Sequence, residues 1–181
     1  MTPTETLKHE HQVINLVLEA AEREAGSIQA TGKADIEKID KMLDFFRNFA
    51  DRCHHAKEED ILFLIMQKRG APARGGPIAV MLAEHEEGRE KLMAIADALP
   101  QARNGDPSAI SSISGNLLAY CSLLWGHIDK EDNILYPFAD RILTPEDQQE
   151  MMSAFEQIEA KEIGEGVHEK YHQIAHTLAQ T

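Results

Sequence analysis

The sequence is poor in cysteine and in long apolar runs, and each shortage excludes a class of protein. Two cysteines in 181 residues are too few for a disulfide scaffold, and Cys53 and Cys121 are not spaced as a CxxC motif. Both are expected to be reduced and buried. No apolar run approaches the roughly 20 residues of a membrane span, and the N-terminus lacks the basic-then-apolar layout of a secretion signal. We therefore predict a cytoplasmic protein with no membrane partner.

Basic residues are also scarce. The 18 Lys and Arg face 31 Asp and Glu, which gives a net charge of −13. Because a phosphate-neutralising surface needs clustered basic side chains, no nucleic acid partner is expected. The sequence contains no Walker A loop, no Rossmann glycine fingerprint, no GxSxG elbow and no HExxH motif. These absences argue against nucleotide-binding, hydrolase and zinc-protease functions.

Apolar residues recur at helical spacing along nearly the whole chain, and no alternating strand pattern rises above it. Thr2, Pro3 and Glu5 form a capping box that begins the first of four long helices separated by short turns. The pattern predicts an all-α, up-down-up-down four-helix bundle over residues 1–143. Residues 144–181 are predicted to form a C-terminal helical extension packed on the bundle.

The most informative feature that is present is a duplicated pattern of histidine and glutamate. The segment HHAKEEDILF at residues 54–63 reappears as HIDKEDNILY at residues 127–136. Each copy is preceded by a Glu-His pair, at an interval of 43 residues between histidines in the first half and 42 in the second. If each half is a helical hairpin, two equivalent half-sites meet inside one bundle.

Helical spacing brings the duplicated residues onto shared faces. Residues i and i+4 lie one above the other on a helix, so a His-x-x-x-Glu sequence presents an imidazole and a carboxylate together. The predicted metal ligands are His11, His54, Glu58, His85, His127 and Glu131. A single histidine on an apolar face is more often a core residue than a ligand. Four in duplicated contexts are not explained that way, because buried glutamates need partners. This donor set favours a pair of Fe ions, or Mn, over Mg.

These motifs, EH, HHxKEExxLF, EH and HxxKExxxLYP, resemble the hemerythrin-like, or HHE cation-binding, domain over roughly residues 4–140. The resemblance implies a four-helix bundle around an oxo- or hydroxo-bridged, non-haem di-iron centre that binds dioxygen or related oxidants. Respiratory hemerythrins carry a fifth histidine where this chain has Met81, so one coordination position passes to water or another side chain. They also use an aspartate that falls on Asp132, whereas the internal repeat selects Glu131.

The neighbouring polar residues receive other expectations. Glu59 and Asp132 are expected either to accept hydrogen bonds from imidazole N–H groups or to face solvent. His55 is expected to be a polar neighbour and His9 a surface residue. In the extension, three histidines recur every four residues, and two acidic residues complete ExxH pairs with them: His168, His172, His176, Glu165 and Glu169. Docking or solvent exposure of these histidines is favoured over a second metal site.

The leading functional hypothesis is a di-iron protein that binds O2, NO or peroxide at a carboxylate-bridged centre, for oxygen or stress sensing or for iron handling. Zn or Mn can replace iron in isolated protein, and a redox partner is compatible with this function. One alternative is a di-iron enzyme with peroxidase, NO reductase or ferroxidase activity, with Tyr120, Tyr136 or Cys121 supplying electrons if they lie near the metals. Another is an iron store, or a donor for iron-centre repair. The sequence leaves open whether the protein is an enzyme.

Overall fold

A computed structural model of the chain describes residues 1–164 and 167–180. The described residues form helices and connecting turns, and they contain no strand. The helices are α1 (Pro3–Thr31), α2 (residues 36–68), α3 (Pro77–Arg103), α4 (residues 107–142), α5 (residues 145–163) and α6 (Val167–Ala179). The predicted all-α class is therefore confirmed. None of these helices is both long and apolar enough to cross a membrane.

The helix ends follow local signals in the sequence. The predicted capping box is present at α1, where the Thr2 side chain accepts a hydrogen bond from the Glu5 N–H and the Glu5 carboxylate accepts one from the Thr2 N–H. Helix α1 ends at Gly32, whose φ of 69° is in the left-handed region that favours glycine. Asp106 caps α4 by accepting from two backbone N–H groups. These signals place short turns between antiparallel neighbours.

Three of the six helices contain wide, π-helical turns with i→i+5 hydrogen bonds. In α2 they occupy Phe46–His55 and Glu58–Leu62, between the α-helical parts Ile36–Phe45 and Phe63–Lys68. In α4 they occupy Glu131–Leu135, between Pro107–Lys130 and Tyr136–Ile142, and in α5 they occupy Glu159–Ile163, after Pro145–Ile158. Such turns are found frequently at functional sites.

The fourth helix continues past Pro137. The sequence predicts that this proline bends or stops the helix, because it lacks an N–H and its ring crowds the preceding turn. The prediction that the helix stops at this proline is wrong, because α4 continues to Ile142. The wide turn Glu131–Leu135 ends immediately before the Tyr136-Pro137 pair, and a loosened turn at this point accommodates the missing donor.

The last two helices pack on the first two. Helix α6 lies along α1 and the beginning of α2, and the end of α5 contacts the wide-turn segment Phe46–His55. Tyr171, Ala175 and Leu178 of α6 are buried in the same apolar cluster as the C-terminal half of α1. A division of the chain after residue 143 stays a prediction.

Two apolar clusters fill the interior, and a polar layer separates them along the bundle. The larger includes Val17 and Phe46, and the smaller includes Leu7 and Phe63. Along each of α1 to α4 the residues of one cluster give way to those of the other at or next to a predicted ligand. In α1, for example, His11 lies between Leu7 and Ile14. The functional residues therefore lie between two dry cores rather than at the surface.

Candidate metal centre

The polar layer consists of five histidines and two glutamates from all four helices of the bundle. Their exposed fractions are 5% or less: His11 1%, His54 1%, His55 5%, Glu58 0%, His85 1%, His127 2% and Glu131 0%. All six residues predicted as ligands thus come together. Burying two carboxylates among imidazoles is costly unless the groups are paired or coordinate a cation.

The four predicted histidines form two matching pairs. His11 from α1 and His54 from α2 bring their Nε2 atoms to 3.0 Å, and His85 from α3 and His127 from α4 bring theirs to 3.1 Å. Each pair joins the two helices of one hairpin. The sequence repeat is therefore a structural repeat of two imidazole half-sites.

The two glutamates each contact both pairs. Glu58 Oε2 lies 3.7 Å from His54 Nε2 and 3.4 Å from His85 Nε2. Glu131 lies 3.2 Å from His11 Nε2 and 3.1 Å from His127 Nε2, through different carboxylate oxygens. Each carboxylate thus spans the gap between half-sites and would reach a metal ion held in either of them.

The donor atoms fit cations. Glu58 Oε2 and both Glu131 oxygens are buried and accept no hydrogen bond from any described residue, although imidazoles surround them. Burial alone would lower the pKa of His11 and His85, but nearby carboxylates outweigh it. Asp132, Glu131 and Glu58 raise the pKa of His11 to about 10, and Glu131, Glu58 and Glu59 raise the pKa of His85 to about 11. The carboxylates that stabilise a protonated imidazole here would also stabilise a metal cation.

Each Nδ1 atom of these four histidines lies against a carboxylate on the outside of the centre. The pairs are His11 with Asp132 at 2.9 Å, His54 with Glu10 at 2.8 Å, His85 with Glu59 at 2.7 Å and His127 with Glu84 at 2.9 Å. An outer carboxylate fixes the N–H on Nδ1 and leaves the Nε2 lone pair directed inward, as metal-binding histidines require. The expectation that Glu59 and Asp132 accept from imidazoles is confirmed.

In each half of the repeat a lysine donates a hydrogen bond to the outer glutamate, but the two lysine–glutamate pairs differ in solvent exposure. Lys57 donates to Glu10, and Lys130 donates to Glu84. The Lys57 and Glu10 side chains are 0% and 3% exposed, whereas those of Lys130 and Glu84 are 37% and 17% exposed. The first pair is covered because α5 and α6 pack over it.

Both covering helices contribute to the buried pair. Glu159 of α5 accepts from Lys57 Nζ at 2.5 Å, and Nε2 of His168 of α6 lies 3.6 Å from Glu10 Oε1. Burial alone would raise the pKa of Glu10, but His168, His54 and Lys57 hold it well below its usual range. Glu10, Glu159 and His168 have the spacing of a metal site, yet the Lys57 ammonium already binds two of them.

His55 lies inside the layer rather than beside it. Its ring stacks on that of His85 at 3.8 Å between centroids with an interplanar angle of 15°, and its Nδ1 lies 3.3 Å from Asp51 Oδ1. Burial and the neighbouring His85 lower the pKa of His55 well below its usual value, so it is neutral. The sequence predicts His55 only as a polar neighbour of the ligands, which understates its burial. The prediction that His9 is a surface residue is confirmed.

One tyrosine reaches the centre, and both thiols are withdrawn from it. The Tyr136 hydroxyl donates to Glu58 Oε1 at 2.7 Å and lies 3.4 Å from His11 Nε2. Cys121 donates to a backbone carbonyl at 3.6 Å, and Cys53 lies near Lys57. Burial raises the pKa of each thiol to about 12, so both are protonated and unreactive at neutral pH. The predicted burial of both cysteines is confirmed.

Comparison with known proteins agrees with this geometry. The family model described as the hemerythrin HHE cation binding domain matches residues 2–139. The chain belongs to this family. Two uncharacterized proteins, one of Mycobacterium tuberculosis and one of Mycobacterium bovis, are each 22% identical to it over 165 residues. These alignments cover 91% of this chain and 64% of each relative. No solved structure matches the chain.

As a member of the hemerythrin HHE family, the protein is a metal-binding candidate, and its bundle of α1 to α4 is the family fold. The duplicated motif predicts that the six ligands meet in one place, but it assigns no role to Glu10, Lys57 or their counterparts Glu84 and Lys130. The signal for these residues was available, since the Glu-His pair and the lysine are themselves duplicated.

The histidines of the extension separate into docked and exposed residues. His168 and His172 contact the Phe49 ring at centroid distances of 5.2 and 5.7 Å, whereas His176 is exposed. Glu169 is also exposed, and Glu165 lies outside the described residues. Docking and exposure, the favoured expectations, are confirmed where the structure describes these side chains.

Proposed function

We propose that this HHE protein holds two iron ions in the polar layer and binds dioxygen, NO or peroxide there. The observation that carries the proposal is the pair of carboxylates, Glu58 and Glu131, each buried between two imidazole pairs. Glu58 Oε2 and both Glu131 oxygens accept no hydrogen bond from described residues. Iron suits a mixed imidazole and carboxylate set. Once bound, it supplies one-electron redox chemistry and a coordination position for a small ligand.

The chain's own residues orient the ligands and exclude water. The outer carboxylates fix the imidazole tautomers, and the two apolar clusters close the layer from both ends of the bundle. Ile14, Met81 and Leu124 belong to these clusters and are buried. Trp125 packs against the larger cluster but is only partly buried, and it donates its indole N–H to Glu22 at 2.9 Å. A dry centre favours a small neutral ligand over water.

Anaerobic loading with Fe(II) followed by exposure to oxygen or NO tests the proposal. We expect two Fe per chain by elemental analysis, a Mössbauer spectrum of a coupled pair after oxidation, and new charge-transfer absorption in the near-ultraviolet and visible regions. The double variant Glu58→Gln, Glu131→Gln should lose the coupled signal, and His176→Gln, on the exposed face of α6, should keep it. A single iron per chain, or no absorption change with either gas, would contradict the proposal.

A second candidate, an enzyme that turns over peroxide or NO, is favoured by one contact. Tyr136 is 0% exposed and its hydroxyl bonds to a carboxylate of the centre. A phenol at this position can pass one electron to peroxide or NO bound in the layer while its proton moves to Glu58 along the existing hydrogen bond, and the external reductant then restores the phenol. Tyr120 is also buried but packs on Phe46, and no hydrogen bond of its hydroxyl to the layer is present among the described residues.

Substitution of Tyr136 separates binding from turnover. We expect Tyr136→Phe to lower the steady-state rate of reductant-driven peroxide or NO consumption at least tenfold while iron content stays at the wild-type value. Removal of a buried hydrogen bond should cost about 1–3 kcal/mol of stability. Tyr120→Phe is the matched control, because it removes a buried hydroxyl away from the layer. Equal rates in the two variants and the wild type would exclude an electron-donor role, and stoichiometric uptake that stops after one event would exclude turnover.

A further inference from the structure

We propose that His55 is a fifth imidazole ligand of the dimetal centre, and that the centre is therefore asymmetric, with two histidines on one ion and three on the other. This assignment rests on the proposed function, since it needs a metal pair in the polar layer. Met81 belongs to the smaller apolar cluster with Leu7 and Ile78 and is 2% exposed, so it supplies no polar donor to the layer.

The donor atoms of the layer separate into two groups. One ligand atom each from His55, Glu58, His85 and His127 lie within 4.8 Å of one another. His11, His54 and Glu131 form the other group at the same spacing. The first group therefore has three imidazoles and the second has two, while Glu58 and Glu131 each contact imidazoles of both groups.

His55 is held in the same way as the other four imidazoles. Its Nδ1 lies against a carboxylate, that of Asp51, as the Nδ1 atoms of the predicted ligands lie against theirs. In the described chain, the histidines outside the layer lack this arrangement: His168 approaches Glu10 through Nε2, and His176 is exposed. An imidazole held at Nδ1 has Nε2 available for a metal ion.

Arg89 sets the direction of the His55 ring. Its guanidinium donates to Asp51 Oδ1 at 2.9 Å and to Glu59 Oε1 at 2.6 Å, and these carboxylates hold Nδ1 of His55 and of His85. Because one guanidinium joins both carboxylates, the Nδ1 edges of the two stacked rings face the same side. Their Nε2 edges consequently face the opposite side, where Nε2 of His85 meets Nε2 of His127 at 3.1 Å.

Comparison of the two halves shows that this imidazole is particular to the first. In the repeat, His54 corresponds to His127, so His55 corresponds to Ile128, which is 6% exposed and belongs to the larger apolar cluster. A core position of the second half is thus a histidine in the first. The wide turns of α2 at Phe46–His55 assist, because a wider turn reduces the angle between consecutive side chains and lets two adjacent histidines enter one layer.

Loading with ¹¹³Cd²⁺ alone tests the assignment without reference to activity. A ¹¹³Cd-edited proton spectrum shows a set of ring-proton couplings for each coordinated imidazole. We expect two ¹¹³Cd signals and five coupled imidazoles in the wild type. In His55→Gln we expect four coupled imidazoles and a marked shift of one ¹¹³Cd signal, with the other nearly unchanged. His176→Gln should give the wild-type spectrum, and circular dichroism should show that both variants fold.

Each outcome bears on one of the two proposals. Two ¹¹³Cd signals with only four coupled imidazoles in the wild type would overturn the role of His55 and leave the dimetal centre standing. This result needs no variant to fold. Five coupled imidazoles that persist in His55→Gln would overturn the assignment to this residue. No coupled imidazole at all would overturn the proposed function, and the assignment of His55 with it.

Discussion

Removal of metal from the loaded protein is expected to lower its unfolding temperature by about 10–20 °C. A site at a free metal concentration of 100 times Kd contributes about 2.7 kcal/mol, so two sites contribute about 5 kcal/mol. In a chain of this size each kcal/mol corresponds to about 2–4 °C. The structural reason is that the metal-free layer leaves carboxylate oxygens of Glu58 and Glu131 buried without hydrogen bonds from described residues.

Scanning calorimetry with and without a chelator measures this difference. The double variant Glu58→Gln, Glu131→Gln is the matched control. Its neutral amide side chains need no cation when buried, and they lack the pair of carboxylate oxygens that would bridge two ions. We expect its unfolding temperature to be insensitive to the chelator. A wild-type midpoint that does not move on chelation, with complete metal removal shown by elemental analysis, would contradict a stabilising metal pair.

The second large effect is expected at Lys57. Substitution Lys57→Met keeps the aliphatic stem but leaves the Glu10 carboxylate buried without its ammonium partner, and breaking a buried pair in this way costs about 3–5 kcal/mol. The repeat supplies a control at the same position of the same motif. Lys130→Met breaks a pair whose lysine is 37% exposed, and we expect a cost below about 1 kcal/mol.

Urea unfolding of both variants measures the two losses in free energy of unfolding. The comparison holds if the dependence of that free energy on urea concentration keeps its wild-type slope. Glu159→Gln adds a test of the covering helices: it removes a charge that Lys57 contacts while leaving the pair with Glu10 intact, so its effect should fall between the other two. Equal costs for Lys57→Met and Lys130→Met would show that cover by α5 and α6 adds nothing to the buried pair.

The fold and the meeting of the six predicted side chains could be foreseen because they follow from periodic patterns. Helical spacing gave the bundle, and the duplicated His-x-x-x-Glu motif gave one carboxylate and one imidazole on a shared face. The expected hydrogen bonds of Glu59 and Asp132 follow from the same register. That the six side chains bind metal ions, and that Glu59 and Asp132 support them, is a separate proposal.

The remaining features depend on contacts that no local pattern encodes. Helical spacing predicts α2 and α4 but does not distinguish wide turns from ordinary ones, so it does not predict the π-helical segments or the passage of α4 through Pro137. The contact of Lys57 with Glu159 joins residues 102 positions apart. The sequence predicts His55 only as a polar neighbour, and its burial follows from packing against His85.

The unequal cover of the two outer Glu-Lys pairs gives the molecule a closed side and an open side. Glu10 and Lys57 are sealed by the chain's own C-terminal helices, whereas Glu84 and Lys130 meet solvent directly. The other two outer carboxylates, Glu59 and Asp132, are 25% and 31% exposed, so His11, His85 and His127 each have a carboxylate on Nδ1 that meets solvent. His54, held by Glu10, does not. The chain's own C-terminal helices therefore shield one imidazole of these four from proton exchange with bulk water.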